Sequence, residues 1–256
     1  MKNFIHPFAL FLCIGCMCSC SKDDDGSEAP IEIPADQKLL GSVEGSGALN
    51  FDASFEYNPD KTVDHLNIAS AFLFDFSYIS DRIASIELAA GGELRKYAFA
   101  YSAEGRVTSY SMDEVLIPVD YDPIDNAYHY LDQYDREVTI SLTSEGDIRQ
   151  YSIMDNVSGD RESAVLDYDE NGKGSMANAN AISLHLGIVL GSPDAVFYIY
   201  PFTKRPVRYL STSDVFSVVF ENVYDGQDFV ISTSMVVNGE EASNGGTSAF
   251  NYIALE

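Results

Sequence analysis

The residues best suited to metal chemistry lie in a short acidic stretch, DYDENG, at positions 167–172. The spacing of Asp167, Asp169 and Asn171 matches the opening of a calcium-binding loop, D-x-D-x-N-G. A loop of this kind supplies a bidentate glutamate at its twelfth position, where this chain has Asn178. The missing ligand favours a plain type I′ hairpin turn at the Asn-Gly pair, without a metal, and leaves Ca²⁺ as the alternative.

The sequence lacks the residue patterns of most catalytic sites. The histidines after the first twenty residues, His65, His129 and His185, are scattered, and no cysteine follows Cys20, so the usual zinc ligand sets are missing. There is no G-x-S-x-G elbow and no phosphate-binding glycine loop. Glycoside hydrolysis uses two carboxylates that can come from distant strands, and with 40 acidic residues the sequence does not exclude such a pair. We therefore assign no catalytic residue and expect a protein without enzymatic activity, with a carboxylate-dependent hydrolase acting on glycans as the alternative.

One short basic cluster stands out in this acidic chain. The segment FTKRPVRY places Lys204, Arg205 and Arg208 within five positions, although the whole chain has only 15 basic residues. These side chains either receive an anionic ligand or neutralise nearby carboxylates, and the acidic composition favours neutralisation.

The aromatic residues offer a second class of binding surface. The chain has 16 Tyr and 15 Phe but no Trp, and two tyrosine pairs have the spacing of one strand face: Tyr128 with Tyr130, and Tyr198 with Tyr200. Flat rings of this kind stack on sugars, but they also form cross-strand pairs in a sheet core. We favour the core interpretation for most of them.

The charge and length bound the class of protein. A net charge of −25 with a pI near 4.2 argues against binding to nucleic acid or to anionic lipid through general electrostatics. The chain is long enough to be held by one hydrophobic core without disulfides. We therefore expect its partner to be a glycan or an envelope protein.

The elements that must position these residues are strands. Period-two alternation of aromatic and β-branched residues predicts them along most of the chain. The alternating sets are Phe72, Phe74, Phe76 and Tyr78; Tyr97, Phe99 and Tyr101; Val138, Ile140 and Leu142; Val196, Tyr198 and Tyr200; and Phe229 with Ile231. Residues 179–191 predict either one short helix or a strongly apolar strand.

Repeated turns predict how the strands pair. Segments 57–66, 101–110 and 222–231 share one frame, in which an aromatic residue enters a polar turn and an apolar strand leaves it; segment 168–177 fits the same frame. Segments 81–97 and 135–151 align without gaps at an offset of 54. Hairpins in succession pair in sequence order. We predict an all-β fold, a single antiparallel meander curled into an open, barrel-like sheet.

The N-terminus predicts export and lipidation. Residues 1–19 have the layout of a signal peptide, and Cys20 resembles the acylated cysteine of bacterial lipoproteins, with Cys16 as a rival site. Residues 20–37 form an acidic tether, and the β domain spans 38–256. The residues after the cysteine resemble a signal for transfer to the outer face of the outer membrane: Ser21, Lys22, Asp23, Asp24 and Asp25.

The hairpin frame Y-x-x-x-G-R-V-x-x-Y at 101–110 looks like the tyrosine-aspartate repeats of Rhs-type and teneurin-type shells. A closer resemblance, over most of residues 50–256, is to Bacteroidetes lipoproteins of unknown function with a porin-like β fold. That resemblance implies a fold and an outer-membrane, surface-exposed location, and it supplies no catalytic residues. We expect a lipid-anchored protein whose β domain binds an extracellular glycan or protein partner; a structural accessory of an envelope complex is a further alternative.

Overall fold

The computed structural model describes residues 32–47, 52–212, 216–237 and 245–255. The predicted signal peptide, Cys16, Cys20 and the export residues Ser21, Lys22, Asp23, Asp24 and Asp25 lie outside these ranges. The residues from Ile33 to Glu256 form one compact unit.

Seventeen strands account for most of the described residues of this unit, as the alternation predicts. They are β1 (Leu39–Gly47), β2 (Asp52–Tyr57), β3 (Val63–Ile68), β4 (Phe72–Ile79), β5 (Arg82–Ala90), β6 (Glu93–Tyr101), β7 (Val107–Met112), β8 (Val115–Pro118), β9 (Asp120–Asp122), β10 (Ala127–Leu131), β11 (Arg136–Leu142), β12 (Ile148–Asp155), β13 (Arg161–Tyr168), β14 (Val207–Thr212), β15 (Ser217–Tyr224), β16 (Val230–Val237) and β17 (Gly246–Ile253). Two short helices, α1 (Ser183–Leu190) and α2 (Val196–Ile199), lie between β13 and β14.

The strands form an antiparallel meander that curls into a nearly closed barrel. Strand β1 pairs with both β2 and β17, so the two ends of the meander meet. One seam stays open, where β8 pairs with β7 and its continuation β9 pairs with β10. The β9–β10 ladder stops at Asp120 and His129; continuing the register would place Tyr130 opposite Val119 and then Leu131 opposite Pro118, which has no N–H to donate. The predicted all-β meander and barrel-like curl are confirmed.

The same five-residue turn recurs in five hairpins and explains the sequence repeats. Its first residue donates its N–H to the carbonyl of the fifth, and its fourth residue donates to the carbonyl of the first. The fourth residue has a positive φ, which favours glycine or a polar residue. These residues are Lys61, Gly105, Asp135, Gly146 and Asp228. The predicted hairpins at 57–66, 101–110 and 222–231 are confirmed.

The hairpin predicted at 168–177 is wrong. Neither Asn171 nor Gly172 has the positive φ that a type I′ turn requires, and β13 pairs with β14, which begins at Val207. Gly172 serves close packing instead, because a Cβ there would lie 2.4 Å from the ring of Tyr224. Residues 169–206 are therefore an insertion between two neighbouring strands.

This insertion holds both helices. Helix α1 confirms the short helix predicted within 179–191. The strand predicted from Val196, Tyr198 and Tyr200 is wrong, because this segment is helical. Ser192 caps a 3₁₀ turn that starts at Pro193 and leads directly into α2, so local capping overrides the alternation.

The barrel is apolar inside and charged outside. Helix α1 lies within the core, where Leu184, Leu186 and Ile188 are buried among inward side chains of the strands. The outer wall carries a row of polar residues directly opposite one another on β2 to β6: Glu56, His65, Asp75, Glu87 and Lys96. Charged side chains destabilise a lipid-facing wall near the bilayer midplane, so this row is typical of a wall that faces water.

Candidate functional site

The two ends of the barrel differ. At one end, which we call the entry end, residues 33–38 lead into β1. The same end holds four of the five-residue turns: 58–62, 102–106, 143–147 and 225–229. At the opposite end, which we call the distal end, lie the turns after β5, β7 and β10. The C-terminus of α1 reaches this distal end, where Arg136 contacts the carbonyl of Gly191.

The distal end contains an enclosed cavity of about 120 Å³, which we call the distal pocket. Strands β6, β7 and β10 to β12 surround it, together with the C-terminal end of α1. Its polar lining residues are Arg95, Tyr97, Tyr110, Tyr130, Asp132, Gln133, Tyr134, Arg136 and Tyr151.

Hydrogen bonds to the end of α1 build the floor of the distal pocket. The hydroxyl of Tyr97 donates to the carbonyl of Val189, and that of Tyr151 donates to the carbonyl of Gly187, both at 3.2 Å. A guanidinium nitrogen of Arg136 donates to the carbonyl of Gly191, also at 3.2 Å. The carbonyl of Gly187 also accepts the N–H of Gly191, and the three side-chain bonds hold the end of α1 against the strands, so the floor is polar and fixed.

A nearly buried ion pair forms one wall. Asp132 is 9% exposed and accepts two bonds from the guanidinium of Arg136, from Nε at 2.8 Å and from Nη2 at 2.7 Å. Its other oxygen accepts backbone N–H groups of Tyr134 and Arg136. These contacts hold the Asp132 carboxyl group and the guanidinium of Arg136 in one fixed arrangement.

Phenols form the opposite wall. Tyr110 lines the distal pocket, and its ring meets that of Tyr130 edge to face at 5.5 Å. Tyr130 bonds the hydroxyl of Tyr151. Burial raises the pKa of Tyr110 and of Tyr130 above its ordinary value of 10, so both phenols are uncharged at neutral pH and can donate and accept.

The mouth of the distal pocket carries an arginine and a tyrosine in contact with solvent. The side chain of Arg95 is 43% exposed and contacts Glu93 at 2.8 Å. Tyr134 is 64% exposed, and the guanidinium of Arg136 lies 5.2 Å from its ring centroid. An exposed ion pair is weak, and the guanidinium of Arg95 has further N–H groups that can donate to a ligand at the mouth.

The predicted calcium ligands already have protein partners. Asp167 pairs with Arg208 at 2.6 Å. Asp169 accepts the hydroxyl of Tyr224 at 2.6 Å and the N–H of Asn171 at 3.0 Å, and the Tyr224 bond is the main cause of its lowered pKa. No group of three or more potential ligands with metal geometry occurs in the described part of the chain. Calcium at this loop stays a prediction.

Two members of the basic cluster, Arg205 and Arg208, pair with carboxylates as predicted, whereas the ammonium of Lys204 donates to the backbone carbonyls of Ala177 and Ala179. Arg205 binds Glu145 through Nε at 2.9 and 3.0 Å, and the N–H groups of Lys204 and Arg205 donate to Asp147. Asp147 is 1% exposed, and burial raises its pKa to about 6 against those bonds. These contacts fasten the insertion to the β11–β12 turn.

Most tyrosines belong to the fold, which confirms the core interpretation. Tyr128 and Tyr200 are buried, and the hydroxyl of Tyr200 lies 2.9 Å from that of Ser248. Five tyrosines near the entry end donate to backbone carbonyls at the starts of other strands. They are Tyr57 to Leu40, Tyr78 to Val63, Tyr101 to Ile83, Tyr168 to Ile148 and Tyr252 to Val230.

Among the residues of the distal pocket, the sequence analysis named only Tyr130 as a candidate for ligand binding; Tyr97 and Val138 appeared there as members of predicted strands. Arg95 and Arg136 were visible as members of the aligned segments 81–97 and 135–151, but at positions that predict a turn rather than a site. Tyr110 and Tyr134 resemble every other tyrosine in the chain. Their significance depends on where α1 ends inside the barrel.

A wider groove of about 570 Å³ crosses the outer wall at β1 to β3. It places Glu44 directly opposite Asp52 on neighbouring strands. Both residues are exposed, so the groove gives neither acid the buried setting that a general acid needs at neutral pH.

No family model and no curated protein matches this chain. Among solved structures, a porin-like protein from Bacteroides uniformis is 15% identical, with 79% of this chain and 77% of that chain covered and a TM-score of 0.32. A porin-like protein from Bacteroides vulgatus is 9% identical, with 85% and 100% covered and a TM-score of 0.42. At these TM-scores the likeness supports no argument about function. The lipoprotein and tyrosine-aspartate parts of the resemblance stay predictions.

None of the helices in the described ranges is long and apolar enough to cross a bilayer.

Proposed function

We propose that this chain is a non-catalytic binding protein of the bacterial outer envelope and that its ligand occupies the distal pocket. The observation that carries the proposal is a cavity of about 120 Å³ that five tyrosines and two arginines line, with Tyr134 exposed at its mouth. Phenols donate and accept hydrogen bonds and guanidinium groups donate them, so the lining offers several partners to a polar ligand. Elsewhere α1 fills the interior, which argues against a conducting pore.

The distal pocket supports binding better than hydrolysis. Asp132 is the only acid among the described residues that line it, whereas glycoside hydrolysis uses two. Both of its oxygens already accept bonds from the protein, from Arg136 and from two backbone N–H groups. The exposed pair Glu44 and Asp52 in the outer groove does not strengthen the hydrolase alternative.

The location is part of the same proposal. Its support is the lipoprotein-like N-terminus and the charged outer wall, which suits a domain held outside the bilayer. Residues 33–38 are fastened at the entry end: Asn178 donates to the carbonyls of Ala35 and Lys38, and Lys38 pairs with Asp225 at 2.5 Å. A lipid anchor upstream would therefore join the domain at the end opposite the distal pocket.

Two N-terminal changes test the location. Replacing Cys20 with serine should leave the protein without acyl chains, as measured by labelling with a fatty-acid analogue. Replacing Asp23, Asp24 and Asp25 with alanine should leave it acylated but protected from protease added to intact cells. If the aspartate-free protein is still cleaved from intact cells, the export part of the proposal is wrong.

A matched pair of double variants tests the binding site. The full chain would be screened on an array of envelope and extracellular glycans and against purified envelope proteins. Any ligand found should be lost from the variant Arg95→Ala with Tyr134→Ala and kept by the control Arg149→Ala with Tyr209→Ala, which changes exposed residues elsewhere. If the pocket variant still binds the ligand, the proposed site is wrong, and an accessory role through another surface is favoured.

A further inference from the structure

We infer that the ligand of the distal pocket is one uncharged sugar residue at the end of a glycan chain, held end-on. This inference rests on the proposed function and names the ligand class of the same site. Three properties of the site carry it: its charge balance, its size and closed floor, and the chemistry of its open groups.

The charges around the distal pocket are balanced in pairs. Arg136 is matched by Asp132 at 2.7 Å, and Arg95 is matched by Glu93 at 2.8 Å. The carbonyl end of α1 adds partial negative charge at the floor, which opposes an anion. The two guanidinium groups oppose a cation. An anionic or a cationic ligand would meet only side chains whose charge is already paired, so an uncharged ligand is favoured.

The size and shape restrict how the ligand enters. The cavity of about 120 Å³ corresponds to roughly four water molecules at about 30 Å³ each. It is smaller than the sites of about 300–1,000 Å³ that enclose drug-sized molecules. The end of α1 closes the floor through the bonds from Tyr97 and Tyr151. The pocket therefore admits one edge of a single ring from the mouth and excludes the middle of a polymer chain.

The open groups match hydroxyls. A sugar hydroxyl both donates and accepts, as does the phenol of Tyr110, and the exposed amide of Gln133 offers both functions at the mouth. Arg95 has N–H donors beyond those that Glu93 and Tyr97 accept. Tyr134 supplies a flat, 64% exposed ring beside the entrance, with Arg136 over it at 5.2 Å. The apolar face of a sugar ring packs on a surface of this kind.

A protein side chain fits the same site less well. Lysine or arginine would face Arg95 and Arg136, and aspartate or glutamate would face the carbonyl end of α1. An apolar side chain would fill the cavity but would form no hydrogen bond with the phenols that line it. Peptide binding is therefore an outcome that the experiment must be able to reveal.

Titration of the purified full chain with single sugars tests the inference. The probes are methyl glucoside, methyl galactoside and methyl mannoside, with methyl glucuronide, methyl galacturonide and glucosamine as charged counterparts, followed by calorimetry and ligand-observed NMR. We expect at least one neutral glycoside to bind about tenfold or more tightly than its charged counterparts. Tyr134→Ala and Tyr110→Phe should each weaken that binding about fivefold to tenfold. The control Tyr209→Ala should leave it unchanged.

The failures of the two proposals give different results. Tighter binding of a uronate than of its neutral partner overturns the uncharged-sugar inference while leaving the site in place. The same holds if no sugar binds but a peptide or protein ligand depends on Arg95 and Tyr134. If a neutral sugar binds and neither Tyr134→Ala nor Tyr110→Phe affects it, the sugar lies elsewhere, and both the inference and the distal pocket are refuted.

Discussion

Lowering the pH from 7 to 4 should change the stability of this protein through two buried groups that act in opposite directions. His185, in α1, packs edge to face on Phe99 at 4.8 Å, and its Nε2 lies 2.9 Å from the hydroxyl of Tyr101. Its Nδ1 is buried without a partner among the described residues. Burial lowers the pKa of His185 to about 4, whereas burial raises the pKa of Asp147 to about 6.

Whether acid stabilises or destabilises the fold depends on which state, folded or unfolded, takes up the proton at the higher pH. For His185 the unfolded chain, with a pKa of 6.5, is protonated before the folded one, so stability falls as the pH drops from 6.5 to 4. For Asp147 the folded chain is protonated first, so stability rises as the pH drops from 6 to 3.8. At 1.36 kcal/mol per pKa unit, each contribution is about 2 to 3 kcal/mol between pH 7 and pH 4, and in the native sequence they nearly cancel.

Two variants separate the contributions, with urea unfolding of the full chain at pH 7 and pH 4 as the assay. Relative to the native sequence, His185→Gln should gain about 2 to 3 kcal/mol of unfolding free energy on acidification, and Asp147→Asn should lose a similar amount. Other carboxylates titrate in all three proteins, so their effects cancel in the comparison. If the difference between His185→Gln and the native sequence does not change with pH, the burial argument for His185 is refuted.

Two further substitutions test how the fold is held, each by urea unfolding at pH 7. Tyr168→Phe removes the hydroxyl that donates to the buried carbonyl of Ile148 at 2.5 Å, and it should lower the unfolding free energy by about 1 to 2 kcal/mol. Gly174→Ala places a Cβ 2.2 Å from the carbonyl oxygen of Thr203, and it should cost about 1 to 3 kcal/mol or more. Gly226→Ala, which meets open space, should stay within about 0.5 kcal/mol of the native value, and equal losses at the two glycines would contradict the packing argument.

The five-residue turns show which part of the fold local sequence alone can predict. Their hydrogen bonds join residues three and four positions apart, and the fourth residue must accept a positive φ. Lysine at position 61, with a φ of 67°, still forms this turn, because the flanking strands and the bonds of Asn58 and Thr62 hold it there. The hairpins could therefore be predicted even where glycine is absent.

The prediction failed where distant packing decides the conformation. Asn171-Gly172 has the composition of a hairpin turn, but Gly172 is pressed against Tyr224, 52 positions later in the chain. Val196, Tyr198 and Tyr200 alternate like a strand, yet the capped turn at Ser192 and burial of Tyr200 against Phe220 hold them in a helical segment. Neither contact leaves a signal in the local pattern.

The sequence by itself determined most of the strands, the five-residue turns and the antiparallel meander, because those depend on alternation and on hydrogen bonds within a few positions. The tertiary structure alone decided that β1 joins β2 to β17 and that α1 lies inside the barrel. The distal pocket follows from that second decision. Residues from six separate elements become neighbours there, because the carbonyl end of a buried helix needs donors and the tyrosines and arginine of the surrounding strands supply them.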